Sequence, residues 1–401
     1  MKINVVGLGY IGLPTAITMA NAGFSVIGTD YNESIVSSLQ KKQITFKEKG
    51  LEEIFVKAVD SGNLTFSTNY EEADIYIVSV PTPYDSFSKK IDPSYVVKAT
   101  ENVLSVCKED SIIIIESTVS PGTIDTFIKP ILNKKVHLVH APERIIPGNM
   151  VYELQHNSRT IGADDRAIGE KVADIYKKTT DGDVVVTDIK SAEMTKVVEN
   201  TFRAVNIAFA NELAKICSHA GMDVYEIIKI CNMHPRVNIL SPGPGVGGHC
   251  ISVDPWFLVG DFPELTKVIG ESMYLNASMP SFVLKRTAEI MKENGITDYN
   301  RVGLYGLTYK ENVDDYRESP TLQLLNAQKK KQAEPLKVYD PFITEDIVPN
   351  QYHDLNKFLN DVDLVIVMVK HDEIKQNMNL LADKVVFDTQ NICDLPKVYK
   401  L

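Results

Sequence analysis

Lys2-Ile-Asn-Val-Val-Gly7-Leu-Gly9-Tyr-Ile-Gly12 decides how this chain folds. The largely apolar run Ile3–Val6 enters a glycine turn, and the turn opens a helix expected to stop near Gly23. In such a strand–turn–helix unit the first glycine makes the tight turn. The second lets a pyrophosphate approach the backbone, and the third lets helix pack on strand. The pyrophosphate rests on the positive end of the helix. The next apolar run, Val26–Thr29, is followed by Asp30, 18 residues beyond Gly12. A carboxylate there accepts from an adenosine ribose hydroxyl. A glycine triplet alone is a weak signal. With both flanking strands and the acid it predicts a dinucleotide site at Gly7, Gly9, Gly12 and Asp30.

Outward from this turn the pattern repeats. Ile75–Val80, Ile112–Ile115 and Val136–Val139 read as buried parallel strands, with further short runs at Thr160–Ile161 and Val184–Val186. Their carboxyl ends are where ligands bind in a doubly wound sheet. Val80-Pro-Thr-Pro83 and Glu116-Ser-Thr-Val119 each bring a hydroxyl there, from Thr82 and from Ser117 or Thr118. Ala141-Pro-Glu-Arg144 brings a carboxylate and a guanidinium.

From Ser191 the period turns helical and holds for about 30 residues, longer than globular helices usually run. Such a helix bridges domains or pairs with a copy of itself. Lys196, Asn200 and Arg203 are spaced four and three apart and share one face. Further helices are expected over Val224–Cys231 and Leu265–Lys292. Near Tyr299 the alternating pattern restarts, with short strands at Val302–Leu304, Lys337–Tyr339, Leu364–Val369 and Val385–Phe387. Its turn, Gly303-Leu-Tyr-Gly306, is a partial fingerprint. Asp340 follows the next strand, and Lys310 and Arg317 are cations suited to phosphates.

The expected fold is therefore α/β, with two Rossmann-like, doubly wound parallel-sheet domains joined by a helical central domain with a long helix. The expected boundaries are 1–190, 191–296 and 297–401.

Between the helices lies Gly243-Pro-Gly-Val-Gly-Gly-His-Cys-Ile-Ser-Val-Asp-Pro-Trp-Phe257. Glycines at this density let backbone approach a ligand closely, so Cys250 is expected to be presented to something small, ahead of a strand or turn holding Asp254. His234-Pro-Arg236 precedes this loop, and Arg236 suits a phosphate or a sugar hydroxyl.

Composition excludes several classes. Hydrophobic residues make up 44% and charged residues 24%, with a net charge of −11. A general nucleic-acid binder would show a basic face instead. No apolar run reaches membrane-spanning length, and the apolar part of the N-terminus is too short for a signal peptide. Five scattered cysteines without a CxxC pair predict reduced thiols in the cytoplasm and no metal site.

Together these residues resemble the UDP-glucose/GDP-mannose dehydrogenase family over nearly the whole chain. Gly7–Gly12 with Tyr10 and Pro14, Ser117-Thr118, Pro142-Glu-Arg144, Lys196 with Asn200, Gly247-Gly-His-Cys250 with Asp254, and Lys310 with Asp314-Asp315 and Arg317 follow the family's order. The resemblance implies a four-electron oxidation of a UDP-sugar C6 alcohol to a carboxylate with two NAD+. Cys250 would form the thiohemiacetal and thioester, Lys196 and Asn200 would stabilise the oxyanion, and Asp254 or a water held by Glu143 would move protons, with Thr118 nearby. Tyr10, Ile11, Pro81, Thr82, Ser117, Thr118 and Arg317 join the glycines and Asp30 at the cofactor. Arg144, Ile145, Lys196, Asn200, Arg203, His234, Arg236, Gly247, Tyr309 and Lys310 fall to the substrate.

Glu199–Asn206, His234-Pro-Arg236 and Val246–Phe257 look most like members that oxidise UDP-N-acetyl-D-mannosamine. Enzymes for UDP-N-acetylglucosamine and UDP-glucose are close alternatives. The implied setting is a cytoplasmic homodimer, paired through the central helix, that supplies a cell-surface polysaccharide and binds neither nucleic acid nor membrane. Many members carry a basic residue after a late Asp-Thr pair. Here Asp388-Thr389 is followed by Gln390, which puts one substrate contact in doubt. A two-electron hydroxyacid dehydrogenase would leave Cys250 and the second Rossmann-like half unexplained. A non-catalytic nucleotide-sugar sensor would not need both Cys250 and Lys196.

Overall fold

The computed structural model describes residues 1–330 and 336–401. The chain divides into two compact units, Met1–Glu199 and Asn200–Leu401, and the division falls within the sequence of the helix Ile189–Ala220, which runs for 32 residues. The expected span from Ser191 to Gly221 matches it within two residues at each end.

The first unit is built on eight strands: β1 Lys2–Val6, β2 Ser25–Thr29, β3 Leu64–Ser67, β4 Ile75–Val78, β5 Ile112–Ile115, β6 His137–His140, β7 Arg159–Ala163 and β8 Val184–Thr187. Their order is β3-β2-β1-β4-β5-β6-β7-β8. Strand order reverses beside β1, which pairs with β2 on one side and β4 on the other, so a crevice opens at the carboxyl ends of β1 and β4. β4 and β5 are buried throughout, because helices cover both faces of such a sheet.

Two features depart from expectation. β3 is an additional edge strand. The sheet is also not wholly parallel, since β7 pairs with β6 antiparallel, with Val139 opposite Ala163 and His140 opposite Gly162. The connection from β6, including the helix Met150–His156, thus ends at the edge where β6 ends. Arg159, at the start of β7, consequently projects past the carboxyl end of β6.

In the second unit the central helices and the second sheet share one core. Ala210, Ala214 and Cys217 of the long helix cluster with Val224 and Ile228, with Met279 and Val283 of the helix Lys267–Glu293, and with sheet residues Leu304, Val338 and Ile366. This sheet comprises β9 Val302–Tyr305, β10 Lys337–Tyr339, β11 Gln351–Tyr352, β12 Leu364–Val367, β13 Val385–Asp388 and β14 Val398–Lys400. Its order, β11-β10-β9-β12-β13-β14, is parallel throughout. Counted from its own first strand, that is the order 3-2-1-4-5-6 with which the first sheet begins.

Candidate active site

The first glycine turn is shaped as its sequence requires. Gly7 takes φ +89°, and a Cβ on it would lie 2.4 Å from the Ser79 carbonyl oxygen. A Cβ on Gly12 would lie 1.8 Å from the Gly7 carbonyl oxygen, whereas one on Gly9 would meet nothing within 4 Å. Gly7 and Gly12 are thus fixed by packing, and Gly9 borders open space. Asp30 Oδ2 accepts from Leu8 N at 2.8 Å, and its Oδ1 accepts from Asn32 N at 2.9 Å. The carboxylate is held at the mouth of the turn, with lone pairs left for a ribose diol. These residues fit an NAD molecule. Tyr10 packs on Phe46 with ring centroids 4.4 Å apart and planes tilted by 32°, beside a small cluster of Ile11, Ile145, Met150 and Leu154.

The later strand ends divide. Thr82 is buried and Pro81 exposed. The Ser117 hydroxyl is occupied within the sheet edge, donating to Val80 O at 2.7 Å and accepting from Val80 N at 2.9 Å. Thr118 is half-buried. Glu143 was expected to hold a water, but it is buried and otherwise engaged. Its Oε1 accepts from Arg144 N at 2.6 Å and Ile145 N at 3.2 Å, and its Oε2 faces the Arg159 guanidinium. Arg144 is likewise occupied: its Nη2 lies 2.7 Å from Glu199 Oε1, and Nη1 donates to Ser158 O at 2.7 Å.

On the long helix Lys196 and Asn200 are buried and Arg203 is exposed. One turn before Lys196, Glu193 caps the 123–131 segment, accepting from Gly122 N at 2.5 Å and Ile124 N at 3.0 Å. Burial pushes its carboxyl up to about 7.

Farther along, the same helix clips the chain leading to the thiol. Asn206 donates to Asn238 O at 2.8 Å and accepts from Leu240 N at 3.0 Å. Asn211 accepts from Gly243 N at 2.9 Å. Two of the glycines that follow are also fixed by packing within the chain. A Cβ on Gly247 would meet Glu318 O and Tyr309 Cβ, each at 2.7 Å. On Gly248, at φ +81°, it would meet the Tyr309 ring at 2.8 Å. Gly248 N donates to Arg317 O at 2.9 Å, so this loop lies flat on the 309–320 segment.

Cys250 emerges from that seat exposed. Its carbonyl oxygen accepts from Asp254 N at 2.9 Å. Asp254 begins the helix Asp254–Asp261, with Pro255 in the first turn, instead of the expected strand or turn. Asn200 Nδ2 donates to Asp254 Oδ2 at 2.6 Å, with both residues buried.

In the 309–320 segment Tyr309 and Lys310 are half-buried. Arg317 Nε and Nη2 grip Asp315 Oδ2 at 3.1 and 2.7 Å. His234 and Arg236 are exposed.

The second glycine turn copies the first. Gly306 takes φ +102°, and Asp340 Oδ2 accepts from Leu307 N at 2.6 Å and Thr308 N at 3.0 Å. Here, however, His371 Nε2 closes on the same oxygen at 3.2 Å, so a side chain faces the carboxylate equivalent to Asp30. Gln390 turns inward and donates to Met368 O at 2.7 Å. Sequence reasoning missed Glu193 as a cap and Arg159 as a partner of Glu143. The one available signal was a charged residue beside each apolar run.

Comparison with known proteins settles the grouping. Residues 1–180, 190–277 and 303–395 match the NAD binding, central and UDP binding domains described for one family. The chain belongs to the UDP-glucose/GDP-mannose dehydrogenase family. It is an NAD-dependent nucleotide-sugar dehydrogenase, and its two Rossmann-like sheets fall in the segments that match the NAD binding and UDP binding domains.

A UDP-N-acetyl-D-mannosamine dehydrogenase of Methanocaldococcus jannaschii is 42% identical over 402 residues, covering 98% of this chain and 92% of that protein. The native structure of the UDP-N-acetyl-mannosamine dehydrogenase of Staphylococcus aureus superposes with TM-score 0.89 at 39% identity, covering 100% of this chain and 97% of that one. An NDP-N-acetyl-D-galactosaminuronic acid dehydrogenase of Ralstonia nicotianae is 36% identical, covering 99% of this chain and 97% of that protein. No helix among the described residues is long and apolar enough to cross a membrane.

Proposed function

We propose that this member of the family oxidises the C6 alcohol of UDP-N-acetyl-D-mannosamine to the carboxylate, giving UDP-N-acetyl-D-mannosaminuronate. The observation that carries the reading is Cys250, an exposed thiol one turn ahead of a buried Asp254 that Asn200 holds. The mannosamine relatives, at up to 42% identity over nearly full length, support this sugar.

Gly7–Gly12 and Asp30 would hold NAD+, which would supply the hydride acceptor for each of the two oxidations. The chain's residues manage everything else. The first oxidation turns the alcohol into an aldehyde and releases a proton. The Cys250 thiolate adds to the aldehyde carbon, forming a C–S bond and a hemithioacetal oxygen that Lys196 and Asn200 are assigned to stabilise. Loss of the second hydride leaves a thioester. Water then breaks the C–S bond, releasing the carboxylate and restoring the thiol. Asp254 is assigned the proton transfers, with Thr118 in support. Glu143 is assigned to hold the Arg144–Ile145 turn.

In this reading residues 1–190 bind NAD, 191–296 carry the catalytic helix and the cysteine loop, and 297–401 take the UDP moiety. Tyr10, Ile11, Pro81, Thr82, Ser117 and Arg317 line the cofactor. Arg144, Ile145, Arg203, His234, Arg236, Gly247, Tyr309 and Lys310 serve the sugar nucleotide. The protein acts in the cytoplasm, in synthesis of a cell-surface polysaccharide, as a homodimer. The long helix supports the pairing. At about 100° per residue, exposed Met194, Val198, Phe202, Phe209 and Ile216 share one face, and Lys196, Asn200 and Arg203 lie opposite.

The Ralstonia relative favours an N-acetylgalactosamine nucleotide as the second reading. Counting NADH formed per sugar nucleotide consumed, across a panel that includes UDP-N-acetylglucosamine and UDP-glucose, tests both chemistry and sugar. Two NADH with the mannosamine substrate is the expected result. One NADH would indicate a simple dehydrogenase, and none with any sugar would indicate a sensor.

A further inference from the structure

Below the first glycine turn, side chains from several elements converge on one buried charge cluster, whose members Glu116 and Arg159 none of the roles above uses. Glu116, just after β5, is 1% exposed. Its carboxylate accepts from Thr15 Oγ1 at 3.1 and 3.2 Å and from the Ser79 hydroxyl. Ser79 is the residue against which Gly7 and Gly12 pack. Arg159 Nη1 stands 3.5 Å from Glu116 Oε1, its Nη2 contacts Glu143, and the guanidinium lies 4.8 Å over the Tyr176 ring. Glu143 in turn holds the N–H groups of Arg144 and Ile145. The cluster therefore links the floor of the cofactor turn to the Pro142–Ile145 turn within one unit.

Its charges do not balance. Two carboxylates share one guanidinium in a site closed to water, where an unmatched charge is costly. The other titratable neighbours offer no cation. Burial raises the Tyr176 hydroxyl well above its ordinary value and draws His140, on β6, down to about 4. His140 is therefore neutral near pH 7, its Nδ1 facing the Ile115 carbonyl oxygen at 2.9 Å.

We propose that Arg159 and Glu116 are positioning residues: Arg159 fixes Glu143 and with it the Arg144–Ile145 turn, and Glu116 gains or loses a proton to decide whether it competes for that guanidinium. With Glu116 protonated, Arg159 is matched one-to-one by Glu143. With Glu116 ionised, the guanidinium is shared and the turn loosens. The balance falls near neutrality, since burial pushes Glu116 up to about 7 against the pull of Arg159. The proposal rests on the reading that the Arg144–Ile145 turn meets the sugar nucleotide.

The test is the KM for the sugar nucleotide against pH, with infrared detection of buried carboxylic acid in the same full-length protein. KM should rise as pH passes through about 7, by at most about tenfold per unit for one proton, with kcat changing less. Glu116→Gln should abolish the inflection and keep the low KM of the acid limb. Arg159→Lys should restore most of the kcat/KM lost in Arg159→Gln. An unchanged inflection in Glu116→Gln would overturn the proposal. If no sugar nucleotide is turned over, the functional reading fails, and the infrared band decides separately. A carboxylic acid signal that titrates near 7 and is absent from Glu116→Gln supports the cluster's role, and lack of such a signal refutes it.

Discussion

Asn200 donates its side-chain amide to Asp254 at 2.6 Å, and both groups are shielded from water. The bond fixes which face of the Asp254–Asp261 helix the carboxylate presents, and hence where Cys250 stands one turn earlier. Asn200→Ala should cost about 1–3 kcal/mol of stability, because it strips a donor from a buried carboxylate. Its kcat should fall more than its KM rises. Thermal unfolding together with steady-state kinetics checks this, and unchanged values in both would remove Asn200 from the machinery.

Cofactor choice follows from Asp30. A carboxylate about 4 Å from a 2′-phosphate costs roughly 4 kcal/mol per charge at an effective dielectric of 20. NAD+ should therefore be turned over in strong preference to NADP+. Comparable kcat/KM for the two would contradict the placement of Asp30.

The thiol series separates Cys250 from the other four. Burial pushes the Cys107 and Cys217 thiols up, and it raises Cys393 to about 12 with help from Asp388. Only Cys231 and Cys250 are exposed. Cys250→Ser should fold and bind NAD+ but fail to complete turnover, because a serine hydroxyl is the poorer nucleophile and leaving group. Single replacement of any other cysteine should leave turnover nearly intact. Two NADH per sugar from Cys250→Ala would eliminate the covalent route.

Stability should vary with pH through Glu193. Its folded-state value, about 7, lies above the ordinary 4.5. The folded form therefore holds the proton more tightly, and the contribution is full below about 4.5 and lost as pH rises to about 7. Glu193→Gln should lessen that decline, leaving the share that Glu116, also raised to about 7, contributes with the same sign. His140, drawn to about 4 from 6.5, acts in the opposite sense, and stability should rise with pH across that window. Melting temperatures of parent, Glu193→Gln and His140→Gln at several pH values read both slopes. A parental slope in Glu193→Gln would discard the assignment.

The apolar stripe on the long helix should be an interface. Phe202, 64% exposed, stands among Val198 and Phe209 on the face opposite Lys196. Phe202→Glu should convert a dimer to a monomer in sedimentation without unfolding the chain, since a stable interface needs about 800 Å² per partner. A parent protein that is monomeric at micromolar concentration would refute it.

Much of this was legible in the sequence because local signals carried it. The strand–glycine–helix turn at Gly7–Gly12, the helix Val224–Cys231 and the four isoleucines of β5 are specified by neighbours in the chain. β11, of two residues, and β14, of three, are too short to show a period. Asp254-Pro255 carried a helix-start signal that the preceding glycines obscured. Glu116 and Arg159 could not be paired from sequence. Forty-three positions separate them, and they meet only because β7 runs antiparallel to β6. The packing of Gly247 and Gly248 on the 309–320 segment could not be read from the sequence either, since about sixty positions separate them.

That last feature changes how a saturation mutagenesis map of this protein should be interpreted. Gly247 and Gly248 would score as intolerant beside Cys250 through packing alone, whether or not either also meets a ligand. Second-site suppression distinguishes the causes. A smaller residue at Tyr309 relieves the ring that a Gly248 side chain would strike, although the strain of φ +81° persists. At Gly247 the obstacles include the Glu318 carbonyl oxygen, which no substitution removes, so that position should yield no suppressor at Tyr309.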